Sequence, residues 1–189
     1  MLRFLKEFVN HPAAIGAVAP SSRHLARKVA GSAGVGDASV VIEFGPGTGV
    51  ITAAILELLR PDALFFALEI NPEFVEITRK RFPHVTVHND SAANARKYLE
   101  EAGVDSCQCI VSGLPWTTFD NQLQDTLLNT VVDVLAPGGR FATYTYLQST
   151  VLPSGIRFRK KLCAAFGDLG ITRPVWRNVP PAVVYYAQK

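Results

Sequence analysis

The sequence predicts an α/β fold in which a largely parallel β-sheet carries helices on both faces. Short runs rich in β-branched and aromatic residues alternate with amphipathic helical patterns from Val40 onward. Prolines and glycines fall between these runs, where residues that interrupt regular structure belong. Only a short connection, 178–181, joins the last two apolar runs. We therefore expect these two runs to form a hairpin.

Two helices are predicted ahead of the sheet. The first covers 1–11, where four apolar residues share one helical face. The second begins after Pro20, takes Ser21 or Ser22 as its N-cap and continues to Ala30.

The core alternates between strands and helices. The predicted strands cover 40–45, 63–70, 84–88, 107–112, 140–146, 171–178 and 182–187. The predicted helices between them cover about 48–60, 72–82, 92–101, 121–135 and 156–167. We divide this single domain into N-terminal amphipathic helices, 1–36, and a core, 37–189.

The composition indicates an ordered globular protein with no metal centre. Hydrophobic residues make up 48% of the chain and charged residues 19%, which disfavours disorder. The net charge of +3 is too small to imply a nucleic-acid partner. The three cysteines and four histidines show neither a disulfide framework nor a zinc spacing. No apolar run is typical of a membrane span or a signal peptide, so we expect a cytoplasmic protein.

A glycine-rich turn follows the first core strand. The strand ends in Glu43, and the turn is Gly45-Pro46-Gly47-Thr48-Gly49. Glycines let the backbone approach a ligand closely, but this spacing is neither the dinucleotide fingerprint nor a P-loop. An acidic strand end beside the turn fits a ligand with positive charge. The stretch resembles motif I of the S-adenosylmethionine (SAM)-dependent methyltransferases, which implies a Rossmann-like class I sheet of order 3-2-1-4-5-7-6 with strand seven antiparallel.

Acidic residues also follow the second and third strands. Glu69, about 20 residues beyond the glycine turn, can accept both ribose hydroxyls of SAM, or it is an ordinary solvated residue. Asp90 resembles the acid that accepts the adenine amino group, and it also fits a helix N-cap. The cofactor set implied by the resemblance is Glu43, Gly45, Pro46, Gly47, Thr48, Gly49, Glu69, Ile70, Asn71, Asp90, Ser91, Ala92 and Ser112.

The fourth strand leads into a segment that bears on the methyl acceptor, Ser112-Gly113-Leu114-Pro115-Trp116. Its position matches the Asn/Asp-Pro-Pro-Tyr tetrapeptide of methyltransferases that act on amino nitrogen. The related ribosomal RNA adenine dimethyltransferases carry Asn-Leu-Pro-Tyr or Phe there. In this chain Gly113 replaces the Asn and Trp116 replaces the smaller aromatic residue. The chain also lacks the helical C-terminal domain of those enzymes, so we regard nucleic acid as an unfavoured partner.

The full set of motifs resembles the short, soluble-type bacterial phospholipid N-methyltransferases. It comprises the N-terminal amphipathic helix, Pro20-Ser21-Ser22, Glu-Phe-Gly-Pro-Gly-Thr-Gly and Ser-Gly-Leu-Pro. The resemblance implies SAM-dependent methylation of phosphatidylethanolamine and its methylated derivatives, the route that leads to phosphatidylcholine. It makes Ser112, Gly113, Leu114, Pro115, Trp116 and Tyr146 the candidate acceptor-side residues.

The chemistry of an amine acceptor suggests aromatic residues near the site. Ring faces stabilise a methylated ammonium by cation–π attraction, and Trp116, Tyr144 and Tyr146 lie at or near predicted strand ends. Core packing explains Tyr144 at least as well. No residue stands out as the general base.

Basic residues flank the apolar faces of the helices predicted at 1–11 and 156–167. Such helices either bind an anionic membrane surface, here the inner leaflet, or pack on the core with a solvated basic face. The alternatives for function are an RNA adenine N6-methyltransferase, a small-amine methyltransferase, and a non-catalytic SAM- or lipid-binding module. The oligomeric state is not predicted.

Overall fold

The computed structural model describes residues 21–189, and a seven-stranded sheet organises them. The strands are β1 (Val40–Phe44), β2 (Leu64–Glu69), β3 (Thr86–Asn89), β4 (Cys107–Ser112), β5 (Leu135–Tyr146), β6 (Leu169–Ile171) and β7 (Ala182–Gln188). Their order is β3-β2-β1-β4-β5-β7-β6. β1 to β5 pair in parallel, and β7 is antiparallel to both of its neighbours. The predicted sheet order is confirmed.

Helices cover both faces of this sheet. They are α1 (Arg23–Ser32), α2 (Val50–Leu58), α3 (Pro72–Arg81), α4 (Ala95–Glu101), α5 (Asn121–Val134) and α6 (Pro153–Phe166). Buried side chains of α1 and α2 share one cluster, and α3 packs beside it on β2 and β3. Buried side chains of α4, α5 and α6 form the larger cluster on the other face. Within residues 21–189, no helix is both long and apolar enough to cross a membrane.

Every residue of β1 is buried, and strand alternation decides what each one meets. Val40, Ile42 and Phe44 enter the cluster on the α4–α6 face. Val41 enters the cluster of α1 and α2 on the opposite face. Because Glu43 is two residues beyond Val41, its carboxylate also points toward α2.

The N-cap expected for the second helix is Ser22, whose Oγ accepts a hydrogen bond from Leu25 N. α1 buries four apolar residues against the sheet. The helix predicted at 1–11 and its basic residues lie outside the described residues. The division at residue 36 stays a prediction.

Two predicted strands have the wrong limits. β5 begins at Leu135, five residues earlier than expected, because residues 136–139 bulge out between the pairs Cys107–Leu135 and Cys109–Arg140. The strand predicted at 171–178 is wrong in extent: β6 is Leu169–Ile171. Farther along, only an isolated bridge joins Val175 to Ala182. Pro174 has no N–H to donate to the ladder. From Ile171 to Val175 the chain advances four residues, whereas its partner β7 advances three, from Tyr185 back to Ala182, so the pairing shifts by one residue.

Candidate active site

A pocket opens at the carboxyl ends of β1 to β4, where an open α/β sheet binds its ligands. Its lining residues are Gly45, Leu68, Glu69, Ile70, Asp90, Ser91, Ala92, Leu114, Phe119, Leu123 and Leu127. The pocket therefore brings together several residues that the sequence singles out from four separate strands. The other members of the predicted sets lie around it or beneath it.

The glycine turn is held in place from α3. Thr78 Oγ1 donates to the carbonyl of Gly47 at 2.8 Å, and Arg81 Nη1 donates to the carbonyl of Thr48 at 2.8 Å. Gly47 has a φ of 55°, and a Cβ added to it would meet nothing within 4 Å. The turn thus offers a left-handed backbone position with open space over it, as a close backbone contact to a ligand requires.

Glu43 lies under this turn and is fully buried. Its Oε2 accepts a hydrogen bond from Thr52 Oγ1 at 2.7 Å, whereas its Oε1 has no partner among residues 21–189. Burial raises the pKa of Glu43 to about 8, the Thr52 hydrogen bond opposes this rise, and the charge of Glu69 adds to it. The chain therefore holds a buried carboxyl group that a nearby cation would help to ionise.

Glu69 connects the end of β2 to the glycine turn. Its Oε1 accepts from Asn71 N at 2.9 Å, and its Oε2 accepts from Gly47 N at 3.1 Å. Burial raises the pKa of Glu69, and the hydrogen bonds from these backbone N–H groups oppose that rise. Glu69 is buried, which disfavours the interpretation that it is an ordinary solvated residue.

Asp90 follows β3 and is fixed by three donors. Its Oδ1 accepts from Ser91 N at 2.7 Å and from Asn94 Nδ2 at 2.8 Å, and its Oδ2 accepts from Tyr98 OH at 2.9 Å. Burial tends to raise the pKa of Asp90, but these hydrogen bonds outweigh it and the pKa lies below its usual value. Asp90 is thus an ionised acceptor at the pocket wall. The N-cap of the following short helix is Ser91.

The segment after β4 runs directly beside the glycine turn. Gly113 N donates to the carbonyl of Phe44 at 2.8 Å. A Cβ added to Gly113 would stand 2.6 Å from the carbonyl oxygen of Gly45, closer than real Cβ contacts allow. Leu114 lies against Gly45 and lines the pocket. The segment therefore presents backbone, not a polar side chain, at residue 113.

Trp116 has a different position from the one expected. Its side chain is 1% exposed, its ring stacks on Phe158 with centroids 5.2 Å apart, and its Nε1 donates to Ser112 Oγ at 3.0 Å. The indole is thus part of the core beneath α6, and it does not line the pocket. Its hydrogen bond to Ser112 connects that core to the end of β4.

Tyr146 and Tyr144 occupy the end of β5. Tyr146 is half-buried, and its ring meets that of Tyr144 edge-on at 6.2 Å. Tyr144 OH accepts a hydrogen bond from Ser21 Oγ at 2.9 Å, and its ring packs on the cluster of α1 and α2. Burial raises the pKa of Tyr146, so its phenol stays protonated at neutral pH. Of the aromatic candidates, Tyr146 is the one at the carboxyl end of β5, although it does not line the pocket.

Sequence reasoning missed one wall of the pocket. Leu123 and Leu127, one turn apart on α5, and Phe119 just before it complete the lining opposite the acidic residues. Their four-residue spacing predicts a buried helical face, but it does not reveal that part of this face is open to a ligand. No three His, Cys, Asp or Glu side chains in the described part of the chain converge in a way that could hold a metal ion.

The comparisons with known proteins identify the family of the chain. Residues 41–139 match the model of a methyltransferase domain. The chain is 32% identical over 188 residues to an ornithine lipid N-methyltransferase from Singulisphaera acidiphila, covering 98% of this chain and 94% of that protein. The chain belongs to the class I SAM-dependent methyltransferases. The expected relationship to the RNA enzymes appears as 31% identity over 65 residues of a ribosomal RNA small subunit methyltransferase A from Chlorobaculum parvum, which is 34% of this chain and 23% of that protein.

Solved methyltransferases share the fold. An O-methyltransferase from Bacillus cereus in complex with SAH aligns with a TM-score of 0.69 and 15% identity, over 98% of this chain and 90% of that one. A fibrillarin from Aeropyrum pernix with natively bound SAM aligns with a TM-score of 0.60 and 13% identity, over 79% of this methyltransferase and 66% of that chain. The cofactor of this methyltransferase is SAM. The residues present fit it: carboxylates can accept from its ammonium, ribose hydroxyl and adenine amino groups, and the leucines suit the adenine ring.

Proposed function

We propose that this methyltransferase transfers methyl groups from SAM to an amine in the headgroup of a membrane lipid. Phosphatidylethanolamine and its partly methylated products are the substrates expected from the sequence. Ornithine lipid, which the relative from Singulisphaera acidiphila is named for, is the second candidate of the same class. The observation that carries the proposal is the extent of that likeness, which spans almost the whole chain, whereas the likeness to RNA enzymes covers about a third of it.

In this proposal the cofactor contacts follow the carboxyl ends of the strands. Glu43 and the turn 45–49 serve the methionine portion, Glu69 accepts the ribose hydroxyls, and Asp90 accepts the adenine amino group. Further contacts are assigned to Ile70, Asn71, Ser91, Ala92 and Ser112 beside these carboxylates. Leu123 and Leu127 supply the apolar wall for adenine.

The acceptor amine is placed beside Gly113 and Tyr146. SAM supplies a methyl group on a sulfonium, so the amine lone pair forms the N–C bond as the C–S bond breaks and its electrons stay on sulfur. The headgroup amine must first lose a proton, because an ammonium has no lone pair to donate. The Tyr146 phenol is already protonated and cannot take that proton, so the proton passes to water. After methyl transfer, the ring face of Tyr146 stabilises the methylated ammonium by cation–π attraction. At Gly113 the backbone alone borders the amine.

A product screen tests the proposal. The protein is incubated with tritium-labelled SAM and, in parallel, liposomes of phosphatidylethanolamine, ornithine lipid, RNA and a set of small amines. We expect label in chloroform-extractable lipid, and the lipid that carries it separates the two candidates. Label found only in RNA or in small amines would refute the lipid assignment. Saturable SAM binding without any labelled product would identify a non-catalytic module.

A further inference from the structure

Five large apolar side chains stand in solvent at one end of the sheet. Trp176 is 69% exposed and Val179 is 77% exposed, both in the connection between β6 and β7. Val151, Leu152 and Ile156 are exposed in the turn before α6 and in its first turn. We call these five residues the edge patch. Trp176 with Val179, and Val151 with Leu152 and Ile156, are its two parts, and exposed apolar side chains of this size beside a pocket often mark a binding surface.

The edge patch lies at the end of the sheet that carries the pocket. β7 is antiparallel to β5, and Ala182 at its start pairs with Tyr146 at the end of β5. Residues just before Ala182 therefore lie at the carboxyl ends of the parallel strands. Leu147 N donates to the carbonyl of Pro181 at 2.8 Å, so the two segments that carry the patch adjoin each other.

Hydrogen bonds and close packing hold the patch in its outward position. Asn178 is buried: its Oδ1 accepts from Ser22 N at 2.8 Å, and its Nδ2 donates to the carbonyl of Pro180 at 2.7 Å. In the other segment, Gly155 packs so closely on Ser149 that a Cβ on Gly155 would overlap the carbonyl oxygen. The exposed side chains are thus presented by ordered backbone, so binding needs little further ordering of that backbone.

The charged residues near the patch in the two segments that carry it have one sign. Arg157, Arg173 and Arg177 are exposed there, whereas Arg23 on α1 is exposed but interacts with the carboxylate of Glu57. From residue 147 to 181 the one acid is Asp168, which precedes β6 at the opposite end of the sheet. Arg177 Nη1 lies 3.0 Å from His24 Nε2, and within residues 21–189 it forms no ion pair with a carboxylate. Lys161, by contrast, is bound to Asp125 on α5 and is not counted with the patch.

Apolar side chains inside a group of arginines match the two layers of an anionic membrane surface. Arginines meet the negative headgroups, while Trp and branched aliphatic side chains enter the boundary between headgroups and acyl chains. A protein partner of the same size would need acidic groups opposite each arginine. A lipid layer supplies them at any orientation about the membrane normal.

We propose that the edge patch docks the protein on an anionic lipid surface, with Trp176 and Val179 entering the headgroup layer. Docking in this orientation turns the pocket toward the lipid layer that holds the substrate amine. This role of the patch rests on the proposed lipid N-methylation. The patch includes no residue of the stretch predicted as a helix at 1–11 and only Ile156 of the stretch at 156–167, the two stretches for which the sequence left membrane binding and packing on the core as alternatives.

Liposome sedimentation with matched variants tests this. The wild type is compared with Trp176→Ala/Val179→Ser and with Arg173→Glu/Arg177→Glu, on vesicles of phosphatidylcholine alone and with phosphatidylglycerol. Ile77→Ser is the control, because Ile77 is also a large apolar residue, 45% exposed, but lies on α3, away from the patch. We expect both double variants to bind anionic vesicles at least tenfold more weakly and the control to bind as the wild type does. Trp176 fluorescence should be quenched by lipids brominated in the upper acyl chain.

Activity on two forms of the same lipid separates this proposal from the proposed function. On short-chain phosphatidylethanolamine below its micelle concentration, the patch variants should match the wild type. On vesicles they should lose at least tenfold in rate. Wild-type binding by both double variants would overturn the docking surface. The docking surface would also be overturned if sedimentation velocity showed a wild-type dimer that the patch substitutions dissociate. Vesicle binding through the patch without any lipid methylation would leave the surface standing and refute the proposed function alone.

Discussion

Gly113 stands so close to the carbonyl oxygen of Gly45 that a Cβ on residue 113 would lie 2.6 Å from it. The two residues directly follow β4 and β1, which are neighbours in the sheet. The glycine that replaces the Asn of the RNA adenine enzymes is therefore required by backbone packing in this chain. It removes a polar acceptor and lets the acceptor segment lie directly against the glycine turn.

The first prediction concerns this contact. Gly113→Ala should lower the free energy of unfolding by about 1–3 kcal/mol, because the added methyl group forces the two backbones apart. The substitution should also weaken SAM binding, because the added methyl group displaces Gly45, which is part of the glycine turn. Urea unfolding and calorimetric titration with SAM measure both effects. Gly31→Ala in α1 is the matched control: its Cβ would meet nothing within 4 Å, so no loss is expected. Unchanged stability and affinity in Gly113→Ala would contradict the packing argument.

The second prediction concerns Glu69. Glu69→Gln should weaken SAM binding about 10- to 100-fold, corresponding to roughly 1.4–2.8 kcal/mol. The amide keeps one acceptor oxygen, so it cannot accept from Gly47 N and Asn71 N and also serve the ribose. Glu73→Gln is the control, since Glu73 lies four residues away, in the first turn of α3, and is exposed. Equal SAM affinities for the two variants would refute the ribose role.

The third prediction concerns the pH dependence of stability. The pKa of Glu43 is about 8 in the folded protein against 4.5 for the free side chain. Between these values the folded state holds a proton that the unfolded state has lost, so the contribution of Glu43 to stability falls as pH rises from about 4.5 to about 8. Glu43→Gln removes this titration. Urea unfolding at pH 5, 7 and 8.5 should show the wild type losing stability relative to Glu43→Gln across the series. A constant difference between the two proteins would mean that Glu43 is already ionised when buried.

The fourth prediction concerns Trp116. Trp116→Ala should lower the free energy of unfolding by about 3–5 kcal/mol, because it empties a site packed on Phe158. Trp116→Phe keeps an aromatic ring and loses the bond to Ser112 Oγ, so a loss of about 1 kcal/mol is expected. The KM for the amine substrate should change less than twofold in Trp116→Phe. A tenfold rise in KM with unchanged stability would instead place the indole at the acceptor amine.

Much of the architecture could be read from local patterns. Alternating runs and the glycine turn located β1 to β4, and the family resemblance supplied the strand order. The errors at β5 and β6 have one cause: strand limits depend on the register of the neighbouring strand. Bulges at 136–139 and near Pro174 are set by pairing with β4 and β7, which local residue types do not specify.

By itself the sequence indicated an alternating α/β fold and the carboxylates that follow the strands. These follow from residue types and from the spacing between them, both local properties of the chain. The sheet order and the class of cofactor came from the resemblance to a known family that these motifs carry. Tertiary structure alone decided that Glu43 is buried beneath α2, that Trp116 packs on Phe158 and that Trp176 stands in solvent. Burial depends on which elements pack together. Trp116 and Trp176 have the same intrinsic hydrophobicity, but one is 1% exposed and the other 69% exposed because only Trp116 lies beneath a helix.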